Sequence, residues 1–207
     1  MFDLEEIEEY AEKGKYHKSF WKLVDEIKKG KFKEHIDFVG RIDEKVYRKR
    51  TRIKVGIFYG NSILLVLLII SIFLLTRRAW LFLLGALCIP WIVHPLAHYI
   101  VGKAYGINFL FYFPNGPAKI EPTLKIDYAT YLRANARKRA YMHASGVIAT
   151  LLSAFLMVVL SFLSKQNTLI KFILIAYFLI LLITDLAFSP KFGDLKRYKR
   201  EMRYVRD

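Results

Sequence analysis

The chain has 207 residues, of which 55% are hydrophobic, and carries a formal net charge of +15. Long uninterrupted apolar runs place it among membrane proteins. Its basic residues flank these runs and form no compact module with interleaved aromatic residues, which argues against nucleic acid as a partner. Its single cysteine, Cys88, excludes an internal disulfide.

Residues 1–54 predict a cytoplasmic amphipathic helical region. Apolar side chains recur at helical spacing over 3–13 and 16–29, and a third helix is expected at about 34–50. The third helix ends in the basic run YRKRTRIK, which would anchor the first spanning helix at the membrane surface. A helical tail near the membrane is the simpler interpretation, and a partner-binding domain is the alternative.

Four apolar segments are each long enough to cross a bilayer, because a spanning helix needs about 20 residues. They cover about 55–76, 79–101, 140–163 and 168–188. Fifteen Lys and Arg residues lie in the first 54 positions, seven lie between the second and third spans, and seven follow the fourth. Only four lie elsewhere, so the positive-inside rule predicts an integral, multi-pass membrane protein with both termini in the cytoplasm.

The segment between the second and third spans, GINFLFYFPNGPAKIEPTLKIDYATYL, is rich in aromatic and β-forming residues. Cut by PNGP, it predicts a short β-hairpin or re-entrant segment that packs against the helices or in a polar cavity. The expected fold class is therefore an all-α membrane protein with this insertion. Its transmembrane domain covers 55–188, followed by a basic cytoplasmic tail over 189–207.

Two histidines, His94 and His98, lie inside the second apolar segment. An imidazole in hydrocarbon is costly unless it faces a cavity, a partner or a metal, and residues four apart share one helical face. The spacing matches H-E-x-x-H, in which the histidines bind zinc and the glutamate is the general base. Pro95 occupies the glutamate position, so the sequence predicts a metal site more firmly than catalysis.

Three further polar residues fall at the same cytoplasmic level of the membrane. His143 lies about one turn inside the third span, Asp185 lies about one turn inside the end of the fourth, and Asp194 lies just beyond it. All five side chains would lie within roughly 10 Å of one plane. A third metal ligand could come from Asp185, which depth alone favours, or from Asp194, and His143 is a further candidate for the polar site.

The segments HPLAH, GINFLFYF, RKRAYMHASGVIATLLSA and FSPKFGDLKR occur in an order that resembles the site-2 protease family of intramembrane zinc metalloproteases, over about 79–200. The resemblance implies zinc held by His94, His98 and Asp194, and a β-hairpin that receives substrate. The chain departs from the family in lacking its Asp-Gly pair at Asp194 and its glutamate at Pro95. Pro95 is also expected to bias His94 away from helical dihedrals, so that His94 would cap a new half-helix.

The leading hypothesis is a site-2-protease-like membrane protein with zinc near the cytoplasmic face and water in an open fourth position. Glu121, Asp127 and Tyr99 are candidates to replace the missing base, but no motif assigns any of them to that role. A degenerate protease that binds a transmembrane helix of a client, or lipid, is therefore expected. A fourth ligand from His143 would make the site structural. The alternative is a non-enzymatic binding or scaffolding module, in which the histidines hydrogen-bond between helices.

Overall fold

The computed structural model describes residues 2–115, 121–187 and 189–205. This part of the chain is mostly helical and includes one three-stranded antiparallel sheet. The chain divides into two compact units. The first comprises Met1–Ile57, Gly102–Arg139 and Glu201–Asp207, and the second comprises Phe58–Val101 and Ala140–Arg200.

The N-terminal region of the first unit forms three amphipathic helices, as predicted. They are α1 (Leu4–Glu12), α2 (Lys18–Lys28) and α3 (Ile36–Arg50). Each helix buries one apolar face, with side chains that include Ile7, Phe20 and Ile42 at 1% exposure or less. The unit thus has an apolar core of its own.

The predicted hairpin is present in the first unit and carries a third strand that the sequence did not reveal. The strands β1 (Val55–Gly56), β2 (Phe109–Asn115) and β3 (Glu121–Ile126) pair in the order β1-β2-β3. The turn expected at PNGP falls partly on residues 116–120, which lie outside the described residues. A short helix, α6 (Tyr128–Arg133), follows the hairpin.

A buried ion pair joins the hairpin to the N-terminal helices. Lys125 on β3 pairs with Asp43 on α3, and their side chains are 7% and 3% exposed. The Tyr16 hydroxyl donates a hydrogen bond of 2.6 Å to Asp43, and the Lys125 ammonium lies 3.6 Å from the centre of the Tyr47 ring. Burial lowers the pKa of the Lys125 ammonium, although the charge of Asp43 opposes this effect.

Four helices are long and apolar enough to cross a membrane, and they coincide with the predicted segments. They are α4 (Ile57–Leu75), α5 (Trp80–Ala104), α7 (Ala136–Leu163) and α8 (Thr168–Ala187). The second unit contains most of their length, and in its core Phe82 and Ala86 on α5 pack with Ile170 and Leu174 on α8. Two short helices follow, α9 (Ser189–Phe192) and α10 (Asp194–Arg203).

The expectation that His94 caps a new half-helix is wrong. Helix α5 runs without a break through Pro90 and Pro95. Each proline removes one N–H donor from the helix, but the flanking residues Ile89 and Ile92 are buried, at 6% and 2% exposure. Leu96, beside Pro95, is also buried, at 8% exposure. His94 is therefore a residue of the helix interior.

Candidate metal centre

His94, His98 and Asp194 meet in the second unit. The two histidines lie one turn apart on α5, and Asp194 is the first residue of α10. The Nε2 atoms of the two rings are 3.2 Å apart, and Asp194 Oδ2 lies 3.3 Å from His94 Nε2 and 3.1 Å from His98 Nε2. Tetrahedral zinc with bonds of about 2.0–2.1 Å holds its ligand atoms about 3.3 Å apart. The three atoms, which we call the donor triangle, therefore match one face of such a tetrahedron.

The Nδ1 atoms of the two imidazoles form hydrogen bonds with groups of α7. His98 Nδ1 lies 2.7 Å from the Met142 carbonyl oxygen, and His94 Nδ1 lies 2.9 Å from Thr150 Oγ1. A carbonyl oxygen only accepts, so His98 Nδ1 carries the hydrogen and donates it. His98 Nε2 can then face the carboxylate in two ways, as the N–H of a charged imidazolium or as a lone pair directed at a shared cation. A hydrogen bond from one ring nitrogen to a backbone carbonyl, such as that from His98 Nδ1, is typical of histidines whose other nitrogen ligates a metal.

Asp194 has different neighbours on its two oxygens. Oδ2 belongs to the donor triangle, whereas Oδ1 lies 3.2 Å from Arg197 Nη1 and 4.0 Å from His143 Nδ1. Burial raises the pKa of the Asp194 carboxyl, but the hydrogen bonds with His94 and His98 and the charge of Arg197 hold it well below its usual range. Asp194 is therefore an ionised carboxylate, the form that binds a cation.

Gly146 on α7 makes room for the imidazole rings. A Cβ at this position would lie 2.3 Å from His98 Nε2 and 2.8 Å from His94 Cε1, so a larger residue would force the imidazole rings to move. The small residues at the start of the third span predicted that another helix packs closely against it. They did not indicate that the side chains packed there are those of His94 and His98. Thr150 was also missed, since a threonine in an apolar helix carries no further signal.

The other predicted polar residues lie outside the donor triangle. Among the described residues, the ligand-type atoms that converge belong to His94, His98 and Asp194 and do not include Asp185, which is half-buried on α8. His143 faces the second oxygen of Asp194. Glu121 is exposed at the start of β3, and Asp127 accepts a 3.1 Å hydrogen bond from the Ala129 N–H as the cap of α6.

The arrangement supplies two nitrogen donors and one carboxylate oxygen, and it leaves the fourth corner of a tetrahedron without a ligand from the triangle. Pro95, one residue after His94, has no side chain that could accept a proton. Comparison with models of known protein families, with curated proteins and with solved structures finds no match. Inference about function therefore depends on the geometry of this site.

Proposed function

We propose that the chain is an integral membrane protein that binds one zinc ion through His94, His98 and Asp194 near the cytoplasmic face. It would be a divergent, site-2-protease-like protein that lacks the general base. The observation that carries this proposal is the donor triangle, whose sides of 3.1–3.3 Å suit tetrahedral zinc. Zinc bound there would supply a Lewis acid with one open coordination position.

Two histidines and a carboxylate favour zinc over harder cations. Calcium and magnesium prefer sites made of oxygen atoms alone, whereas imidazole suits zinc and other transition metals. Three protein ligands with one open position are the arrangement of catalytic rather than structural zinc sites. Iron(II) also binds two histidines and one carboxylate, so the test must identify the metal.

The site supports binding of a ligand better than cleavage of a peptide bond. A positioned acid or base typically contributes about 100-fold to 10,000-fold to the rate, and Pro95 provides neither. Among the described residues, Arg197 and His143 lie beside Asp194, and the hydroxyls of Thr150 and Ser145 lie 2.9 and 3.5 Å from the Nδ1 atoms of His94 and His98. The open position would therefore hold a polar group of a client transmembrane helix or of a lipid.

Exposed apolar side chains and the positions of the basic residues support the proposed placement in a membrane. Side chains such as Phe58, Ile69 and Ile183 are 60–76% exposed on the membrane-length helices, as expected where lipid covers them. The basic residues that flank these helices favour cytoplasmic termini.

The proposal is tested by the metal content of the full chain, purified without a histidine tag and measured by elemental mass spectrometry. We expect about one zinc per chain in the parent protein and none in His98→Ala or Asp194→Ala. Asp185→Asn is the matched control, because it removes a second membrane acid outside the donor triangle, and it should keep the zinc. Circular dichroism would confirm that each variant is folded.

A folded parent protein without a transition metal would contradict the proposal. The polar cluster would then be structural, as in the non-enzymatic alternative. In that case His98→Ala would lower thermal stability without changing metal content.

A further inference from the structure

A cleft of about 320 Å³ opens on the surface of the first unit, where α5 has ended and α7 begins. This volume is at the lower end of the range for small-molecule sites, about 300–1,000 Å³. Every residue that lines the cleft belongs to the first unit. They are Tyr105, Gly106, Thr130, Arg133, Ala134, Asn135 and Lys138.

The charged groups that line this cleft are cations. Arg133 and Lys138 are both exposed, so their charged ends are accessible to a ligand. Among the described residues that line the cleft, none is acidic. The carboxylate of Asp37 pairs with Arg133 Nη2, but Asp37 is 76% exposed and lies outside the lining. A guanidinium has five N–H donors, so Arg133 can also donate to an anion in the cleft.

The N-terminus of α7, a helix of 28 residues, adds to the positive potential of the cleft. The first N–H groups of a helix have no acceptor within it, and the helix dipole places partial positive charge at this end. Asn135 Oδ1 accepts a 2.9 Å hydrogen bond from the Lys138 N–H, which fixes the first turn of the helix beside the cleft. Such a terminus favours an anion.

A buried cluster of charges lies behind one wall of the cleft. Lys28 and Arg139 both pair with Glu201, and the three side chains are 3%, 4% and 0% exposed. The cluster therefore holds two cations and one anion. Arg139 Nη1 donates a 2.6 Å hydrogen bond to the carbonyl oxygen of Ala134, a lining residue, and its Nη2 has no hydrogen-bond partner among the described residues. Because buried charge is screened less by water, this cluster also makes the cleft more attractive to an anion.

We propose that this cleft binds the phosphate group of an anionic ligand, with Arg133 and Lys138 as its charged contacts. Guanidinium and ammonium groups are the usual protein partners of phosphate oxygens. Basic pockets beside membrane helices on the cytoplasmic side bind lipid headgroups, and a phosphate-bearing solute offers the same chemistry. The inference is independent of the proposed metal site.

The experiment measures phosphate binding to the full chain in detergent by isothermal titration calorimetry. Treatment with a chelator, followed by dialysis, ensures that phosphate does not bind a metal at the donor triangle. The two probes are inorganic phosphate and dihexanoyl phosphatidic acid. Lys138→Gln and Arg133→Gln each remove a charged hydrogen-bond donor, so we expect each variant to bind at least 10-fold more weakly than the parent protein.

The comparison of probes separates the two sources of phosphate. If the parent protein binds the lipid at least 10-fold more tightly than inorganic phosphate, and Lys138→Gln abolishes this difference, the ligand is a lipid headgroup. Comparable affinities for the two probes indicate a soluble phosphate-bearing ligand. Both results support a phosphate site in the cleft.

Arg137→Gln is the matched control. Arg137 is exposed in the first turn of α7, next to Lys138, but it does not line the cleft. Its replacement removes the same charge without removing a contact, so it should leave each affinity close to that of the parent. Equal losses in Arg137→Gln and Lys138→Gln would overturn the proposal, because they would show diffuse attraction to a basic surface. A folded parent protein that binds neither probe would overturn it as well.

Discussion

Both ring nitrogens of His98 have polar contacts. Its Nδ1 donates to a backbone carbonyl of α7, and its Nε2 faces both His94 and Asp194. Such a ring cannot rotate without breaking one of these contacts. Contacts with α7 therefore hold the ring in place, which would lower the conformational entropy lost if the proposed cation binds.

Gly146→Ala tests this preorganisation at one residue. The new methyl group would collide with both imidazoles, so the donor triangle must open, and we expect zinc affinity to fall at least 10-fold. Alanine has a better helix propensity than glycine, so α7 itself should be no less helical. The measurement is chelator competition together with circular dichroism.

Ser153→Ala is the control for Gly146→Ala. It changes another small residue of α7, whose hydroxyl donates to the Thr150 carbonyl oxygen rather than to an imidazole. It should leave zinc affinity unchanged. Equal affinities for the parent and Gly146→Ala proteins would show that zinc is not held at the donor triangle.

Helix α3 contacts strand β3 through the buried ion pair of Asp43 and Lys125. Asp43→Asn would leave the Lys125 ammonium buried without its carboxylate. Breaking a buried pair in this way costs about 3–5 kcal/mol, so we expect a loss of about 3 kcal/mol in the free energy of unfolding. Denaturant unfolding followed by Trp21 fluorescence, with Trp80 and Trp91 replaced by Phe, measures it.

Asp37→Asn provides the comparison for Asp43→Asn. Asp37 pairs with Arg133, but their side chains are 76% and 53% exposed, so the loss should be below about 1 kcal/mol. If the two variants lost equal stability, the buried pair would have no special role in the unit.

Sequence patterns predicted the helices well and the irregular elements poorly. Length and apolar content were sufficient for the four membrane-length helices, and helical periodicity was sufficient for α1 to α3. Strand β1 has two residues and exists because Val55 pairs with Tyr112, a partner 57 positions away that no local pattern reveals. Helix α7 begins at Ala136 rather than 140, because its first turn is basic and continues the helix before the apolar run begins.

In the candidate site too, local sequence patterns predicted some residues, and contacts between distant parts of the chain were missed. The spacing of His94 and His98 identified one side of the donor triangle, and an expected common depth brought Asp194 and Asp185 into consideration. Depth alone favours Asp185, whereas the structure brings Asp194 to the histidines, because α10 begins at this residue.

For the whole molecule, the distribution of charge makes a prediction about sidedness. In the proposed topology, the four membrane-length helices would leave both termini and the hairpin on one side of the membrane and the loop at Lys165 on the other. In a Cys88→Ser background, a single cysteine at Lys165 should react with an impermeant thiol reagent added outside intact cells. A single cysteine at Glu34 should react only after the cells are opened.

The reverse labelling pattern would show that the protein has the opposite orientation in the membrane, with the donor triangle near the outer face. Labelling of both positions from outside would contradict a four-span arrangement. A third cysteine variant at Lys103, near the end of α5, distinguishes these outcomes, because it should behave as the Glu34 variant does.

The long separation of the site residues along the chain has a consequence for biosynthesis. His98 and Asp194 are 96 positions apart, and α7 and α8 lie between them. The ribosome therefore makes the histidine pair well before its carboxylate partner, while two membrane-length helices have still to be synthesised. Until then the two imidazoles have no acid from α10 beside them, so the donor triangle can be completed only late in maturation.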